Sequence, residues 1–253
     1  MKIHKSLAIN IDKFLGKATN KLYRIGIELE GGWETPPKGY EIVRDGSVVI
    51  QQDMSSSHAR PWFTGELQSG PIEVEKFPAP IKKFPAWMLA YYPPHVNETC
   101  GLHVHMSFRE AFRYARLMQP EFPATVLDYV ERWARNEGLA ENHPIWDRLM
   151  GKKDHCQPLY WADLQAKVGS KDYDKMRKGH RYTVINYAYG RYKTVECRLL
   201  PMMESPEQGI RAVQELINIT NAFLVATAKR EEKVEIQVRD TGEAFVEHRR
   251  EYV

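Results

Sequence analysis

The sequence predicts a single α+β domain, and three observations carry that prediction. Stretches at 23–30, 100–108 and 194–200 alternate apolar with polar residues, as half-buried strands do. Stretches at 122–136 and 207–228 repeat their apolar residues at helical spacing. No internal repeat, low-complexity tract or Pro/Ser-rich linker divides the 253 residues, so one domain over 1–253 is expected.

In chain order, the first predicted strand is YRIGIELE at 23–30, with Tyr23, Ile25, Ile27 and Leu29 on one face and Arg24, Gly26, Glu28 and Glu30 on the other. At 41–50, Asp45-Gly46 stands between two apolar stretches and predicts a hairpin. A further strand at 62–75 is broken by Gly70-Pro71. CGLHVHMSF at 100–108 sets Leu102, Val104, Met106 and Phe108 opposite His103, His105 and Ser107. Helices follow at 110–118 and 122–136, the second stopped by Gly138. Residues 151–179 are Lys-rich with scattered Gly, Asp and Ser and read as a mobile insertion, a candidate lid over bound phosphate. Strands at 181–186 and 194–200 are joined at Gly190, and a long amphipathic helix covers 207–228. The tail 229–253 is highly charged, with 234–238 as its one short strand candidate.

Composition excludes several classes. With 27% charged and 43% hydrophobic residues the chain reads as an ordinary globular protein, long enough to bury roughly 70–75% of its unfolded surface. Cys100, Cys156 and Cys197 are odd in number and lack CxxC spacing, which argues against a disulfide scaffold or zinc ribbon and for a reducing compartment. Lys and Asp interrupt the first twenty residues, no apolar run approaches the roughly 20 residues that span a bilayer, and a cytoplasmic protein without a membrane partner is expected. A net charge of +3 does not predict nucleic-acid binding. Solvated loop lysines also explain 167–181 better than a nucleic-acid site, because its aromatics lack the repeated spacing of a stacking platform.

The chemistry lies in pairs two residues apart, which share a strand face at roughly 6.5–7 Å. Glu28 pairs with Glu30, His103 with His105 and Glu196 with Arg198, while the opposite faces are apolar. Half-buried antiparallel strands ordinarily turn polar residues to solvent, so each pair alone has a bland explanation. Their company weakens it: Gly101 before the histidines, Asp45-Gly46-Ser47 in a turn, Glu66 in a Gly/Pro-bounded strand, and Arg181 with Asn186 ahead of Glu196. Carboxylates gathered with one or two histidines suit a hard cation such as Mg²⁺ or Mn²⁺, and arginines facing the same cavity call for an anion such as phosphate.

In order, IGIELE at 25–30, ELQSGP at 66–71, CGLHVH at 100–105, Arg181 with Asn186, and TVECR at 194–198 resemble the motifs of the amidoligase family. That family belongs to the carboxylate–amine ligase group with glutamine synthetase and glutamate–cysteine ligase, and the resemblance runs over 23–228. It implies a glutamine synthetase-like domain: a curved, mostly antiparallel sheet with helices on one face and the active site on the other. It also implies an ATP- and Mg²⁺- (or Mn²⁺-) dependent ligase that joins a small-molecule or peptide carboxylate to an amine through an acyl-phosphate, working as a monomer or dimer. By resemblance, Glu30 and Glu66 hold one Mg²⁺, and Glu28, His103 and Glu196 a second. His105 approaches the nucleotide phosphates, Arg198 the transferring γ-phosphoryl group, and Arg181 steadies phosphate or the acyl-phosphate. Asn186, Asp45 and Ser47 are placed near substrate. Glu73, seven residues after Glu66, is a candidate ligand whose bland reading is a strand-edge surface residue.

Two rivals stand beside the ligase. The HxH pair with a glutamate fits a zinc hydrolase, against which the number of carboxylates speaks. A ligase-like domain without activity that binds a nucleotide or peptide is the other, against which the completeness of the acidic set speaks.

Overall fold

A computed structural model describes residues 2–50, 63–74, 83–160, 182–187 and 193–240, with side chains through residue 228. Seven strands form one antiparallel sheet. β1 (Arg24–Trp33) runs through its middle, β2 is Ile42–Val43, β3 is Phe63–Gln68 and β4 is Ile72–Glu73. β5 is Gly101–Ser107, β6 is Ile185–Asn186 and β7 is Val195–Pro201. The order across the sheet is β2-β3-β1-β5-β7-β6, with β4 prolonging the β3 edge of β1 beyond the Ser69-Gly70-Pro71 break.

The alternation read from the sequence decides which side is covered. Ile25, Ile27 and Leu29 of β1, Leu102, Val104 and Met106 of β5, and Val195, Cys197 and Leu199 of β7 are all buried. Among the described residues the α-helices are α1 (Lys83–Tyr91), α2 (Ala111–Leu117), α3 (Glu121–Asn136), α4 (Pro144–Leu149) and α5 (Pro206–Asp240). α5 lies on the apolar side of the sheet, where the Thr220 hydroxyl sits 3.4 Å from Met106 Sδ. α3 packs on α5 through Phe122 and Phe223, whose ring centroids are 5.2 Å apart. Each large apolar side chain so buried contributes about 1.5–3 kcal/mol, which makes this layer the core.

One irregularity positions the site. Leu102 pairs with Leu200 but Val104 pairs with Cys197, so β7 spends three residues where β5 spends two. The resulting bulge places Arg198 and Leu199 together opposite His103 and absorbs the break in alternation at Leu199-Leu200. Without it, one half of β7 would present the wrong face.

Several expectations change. No hairpin closes at Asp45-Gly46. β2 pairs with β3 instead, and the turn forms because Asp45 Oδ1 accepts from both Ser47 N and Ser47 Oγ at 2.7 Å. α1 and α4 add helices that the sequence reading did not assign. The first residues of the supposed insertion 151–179 are tied to the body: Cys156 is buried, Pro158 O accepts from Ile3 N at 2.8 Å, and Gln157 N donates to Tyr182 O at 2.7 Å. The candidate strand at 234–238 is helical backbone within α5. Residues 161–181, with Arg181, and Gly190 lie outside the described residues, as does the tail beyond 240. No described helix is long and apolar enough to cross a membrane.

Candidate functional site

Residues directly paired across antiparallel strands share a face, so the register assembles the polar side in rows. Glu30 stands opposite Glu66, and Glu28 opposite both His103 and Gln68. His105 stands opposite Gly26 and Glu196, and Glu196 also faces Asn186. The last row is Ser107, Arg24 and Glu73. Val43 pairs with Glu66, which brings Asp45, two residues on, over the same row.

This face is no ordinary solvated surface. His103 is 2% exposed, Glu30 3% and Glu196 4%. It floors a cavity of about 480 Å³ lined by Glu28, Asp45, Glu66, His105, Glu196 and Arg198 among others. Three groups of side chains bring ligand atoms within 4.8 Å of one another: Glu30, Asp45 and Glu66; Glu28, Glu66 and His103; and Glu28, His105 and Glu196.

The contacts are close. Glu28 Oε2 lies 3.2 Å from His103 Nδ1 and Glu28 Oε1 2.9 Å from His105 Nε2. His103 Nε2 is 3.6 Å from Glu30 Oε1, and its Nδ1 is 3.8 Å from Glu196 Oε1. Asn186 donates to Glu196 Oε2 at 2.7 Å, while Arg198 Nη1 donates to Glu196 Oε1. Gly101 N donates to Glu30 Oε2, and a Cβ at Gly101 would stand 2.5 Å from His103 Nε2 and 2.9 Å from Glu30 Oε2. Only a glycine lets the backbone come this close.

The electrostatics follow from five carboxylates facing two imidazoles and one guanidinium. Burial works to raise the Glu28 carboxyl, but hydrogen bonds from His103 and His105 outweigh it and hold it well below the usual range. Glu66 moves the other way: burial, then the neighbouring Glu28 charge, push it up to about 7. Burial opposes protonation of His105, yet the Glu196 and Glu28 charges raise it to about 9. Glu196 is lowered against its burial by Arg198 and His105, and Asp45 against its burial by the hydrogen bonds from Ser47. Three carboxylates held ionised beside a fourth that resists ionisation make a site short of positive charge, which a divalent cation would supply.

The structure therefore gathers Glu28, Glu66, His105, Glu196, Arg198, Asn186 and Asp45 around one cavity, with His103 and Glu30 buried beside them, His103 against both Glu28 and Glu30. Ser47 serves by holding the Asp45 carboxylate. Glu73 joins none of the ligand groups and pairs instead with Arg24 at 3.0 Å, at the far end of the face. The division of labour expected between the two histidines has no counterpart in distance, because both imidazoles reach Glu28 and it is His105 that forms a group with Glu28 and Glu196. Three lining residues escaped the sequence reading. Gln68 donates to Glu66 and shares its face, which the period-two alternation contains. Thr194 Oγ1 lies 3.2 Å from His105 Nδ1, and the Arg198 guanidinium sits 5.5 Å from the Tyr182 ring centroid. Thr194 shares the alternating face of Glu196 and Arg198, whereas nothing local in the sequence marks Tyr182. No family model, curated protein or solved structure matches the chain significantly.

Proposed function

We propose that this chain is an ATP- and Mg²⁺-dependent carboxylate–amine ligase that forms an amide or isopeptide bond through an acyl-phosphate. The observation that carries the reading is the trio of overlapping ligand groups on one buried face, each holding carboxylates with at most one imidazole. Oxygen-rich sets of this kind suit Mg²⁺ or Mn²⁺, whereas zinc favours nitrogen and sulfur, and the zinc-hydrolase reading would want both histidines in one group.

The residues divide by what they can do. Glu30 and Glu66, with Asp45 beside them, would hold one cation, and Glu28 and Glu196 with an imidazole a second. When bound, the metal–nucleotide complex supplies the phosphoryl group and the cationic charge that make a carboxylate electrophilic. Arg198, half-buried against Glu196, presents a fixed positive charge to the cavity, where it would stabilise charge on a transferring phosphoryl group. His105, held protonated beside Glu28 and Glu196, would offer a second donor to phosphate oxygens. Arg181 is assigned to the same anion by resemblance alone. A carboxylate needs such activation because its charge is delocalised and its oxygen leaves badly.

The test is ADP release by the wild-type protein with ATP, Mg²⁺ and a panel of amino-acid and peptide carboxylate/amine pairs, with mass spectrometry of the products. Amine-dependent ADP release with a dehydrated adduct is expected. Stoichiometric zinc surviving gel filtration, with no effect of Mg²⁺ on nucleotide affinity, would replace this reading with the hydrolase. Nucleotide binding without turnover on any pair would replace it with the binding module.

A further inference from the structure

Arg148 of α4 is outside the cavity lining and 5% exposed, and among the described residues no carboxylate pairs with it. Its Nη2 donates to Cys100 O at 3.0 Å and its Nη1 to Arg198 O at 2.9 Å. Among the described residues this buried guanidinium meets two carbonyls and the Cys156 thiol but no carboxylate, which is costly to keep, so what those two carbonyls belong to matters.

Both adjoin the site. The Cys100–Gly101 peptide accepts from Arg148 at its carbonyl and donates from its N–H to Glu30 Oε2, so one peptide group lies polarised between a guanidinium and a carboxylate. Such a chain strengthens each hydrogen bond in it. The second carbonyl is that of Arg198, inside the β7 bulge, where the ladder is interrupted and a backbone group needs another partner. The Arg198 side chain leaves the same residue toward Glu196.

We propose that Arg148 is a positioning residue: by holding the Cys100–Gly101 peptide and the β7 bulge, it fixes the Glu30 carboxylate beside Asp45 and Glu66 and the Arg198 guanidinium at the cavity wall. The inference deepens the ligase reading and rests on it only where metal affinity is the readout. Its reach through the backbone separates it from a packing role, which would affect stability alone.

Three full-length variants test it: Arg148→Met, Arg148→Lys, and Leu149→Ala as a control that loosens α4 without touching either carbonyl. The readouts are the Gly101 amide proton by heteronuclear NMR, Mn²⁺ affinity by titration, and Tm. Arg148→Met is expected to move the Gly101 amide upfield and weaken Mn²⁺ roughly 10–100-fold, the scale of lost outer-shell support. Arg148→Lys, which keeps charge with fewer donors, should recover part of both. Leu149→Ala should lower Tm and leave both untouched. An Arg148→Met variant that behaves like Leu149→Ala overturns the proposal. If Met at 148 prevents folding, Arg148→Lys decides, since wild-type values for the amide and for Mn²⁺ overturn it equally. A wild-type protein that binds no Mn²⁺ would sink the metal reading instead, while the Gly101 amide still judges Arg148.

Discussion

Glu28 and His103 occupy directly paired positions on β1 and β5, with Glu28 Oε2 3.2 Å from His103 Nδ1 and the other carboxylate oxygen 2.9 Å from His105 Nε2. Both oxygens of one carboxylate are thus engaged by imidazoles. A cation at Glu28 draws on the same two oxygens that the imidazoles engage and repels a protonated imidazole beside it, so metal and proton compete for the same face.

Stability of the metal-free protein should therefore fall as pH rises. Glu66, raised to about 7 from 4.5, and His105, raised to about 9 from 6.5, both keep a proton longer when folded than when unfolded. Each contribution is complete below the unfolded value and is lost as pH climbs through the folded one, so Tm in chelator should drop between about pH 5 and 9. Glu28 and Glu196 are shifted downward, so what they contribute is lost on the acid side, as pH falls below their ordinary value. Millimolar Mg²⁺ should restore Tm at the alkaline end. A flat profile with Mg²⁺ without effect would refute the charge arrangement.

Glu66→Gln removes the carboxylate that resists ionisation. Above pH 7 the metal-free variant should be as stable as wild type or more so, while Mn²⁺ affinity falls at least about tenfold. Thermal melts paired with Mn²⁺ titration check both halves, and a destabilised variant with normal metal affinity would contradict the assignment.

Gly101→Ala should damage the site more than the fold. A methyl group there would stand 2.5 Å from His103 Nε2 and 2.9 Å from Glu30 Oε2, so both side chains must move. The expected cost is about 1–3 kcal/mol in stability, with Mn²⁺ affinity reduced by more than about tenfold. Denaturant unfolding and metal titration measure the two, and wild-type metal affinity would contradict the close approach.

Arg198→Lys separates mechanism from binding. Lysine keeps the charge but loses the planar fork that now reaches Glu196 and faces the cavity. ATP affinity should stay within a few-fold while amine-dependent ADP release drops roughly 10²-fold, the scale of one lost preorganised donor. Turnover at the wild-type rate would remove Arg198 from the catalytic groups.

What could be read from the sequence was whatever period-two alternation encodes. The Glu28/Glu30, His103/His105 and Glu196/Arg198 pairs declared one polar face per strand, and Ile27/Leu29, Val104/Met106 and Val195/Cys197 declared the face that helices cover. The α3 stop was local as well: Gly138, with φ of 68°, takes the left-handed conformation that ends a helix. α1 was missed because its mixed apolar run at 83–91 carries Pro85 and no clear helical stripe, and helix formation there depends on packing against α5.

Local pattern thus specifies an α+β chain whose strands each carry a polar face rich in ionisable side chains. Packing in three dimensions sets the rest: β1 stands between β3 and β5, the rows align Glu28 with His103 and Glu30 with Glu66, and Glu73 is drawn off to Arg24. It also decides that Asp45 joins the carboxylates and that Arg148 reaches two carbonyls beside the site. The reason is physical: alternation is a property of neighbours along the chain, whereas strand order, register and a bulge are set by contacts between segments tens of residues apart, whose energies no local pattern records.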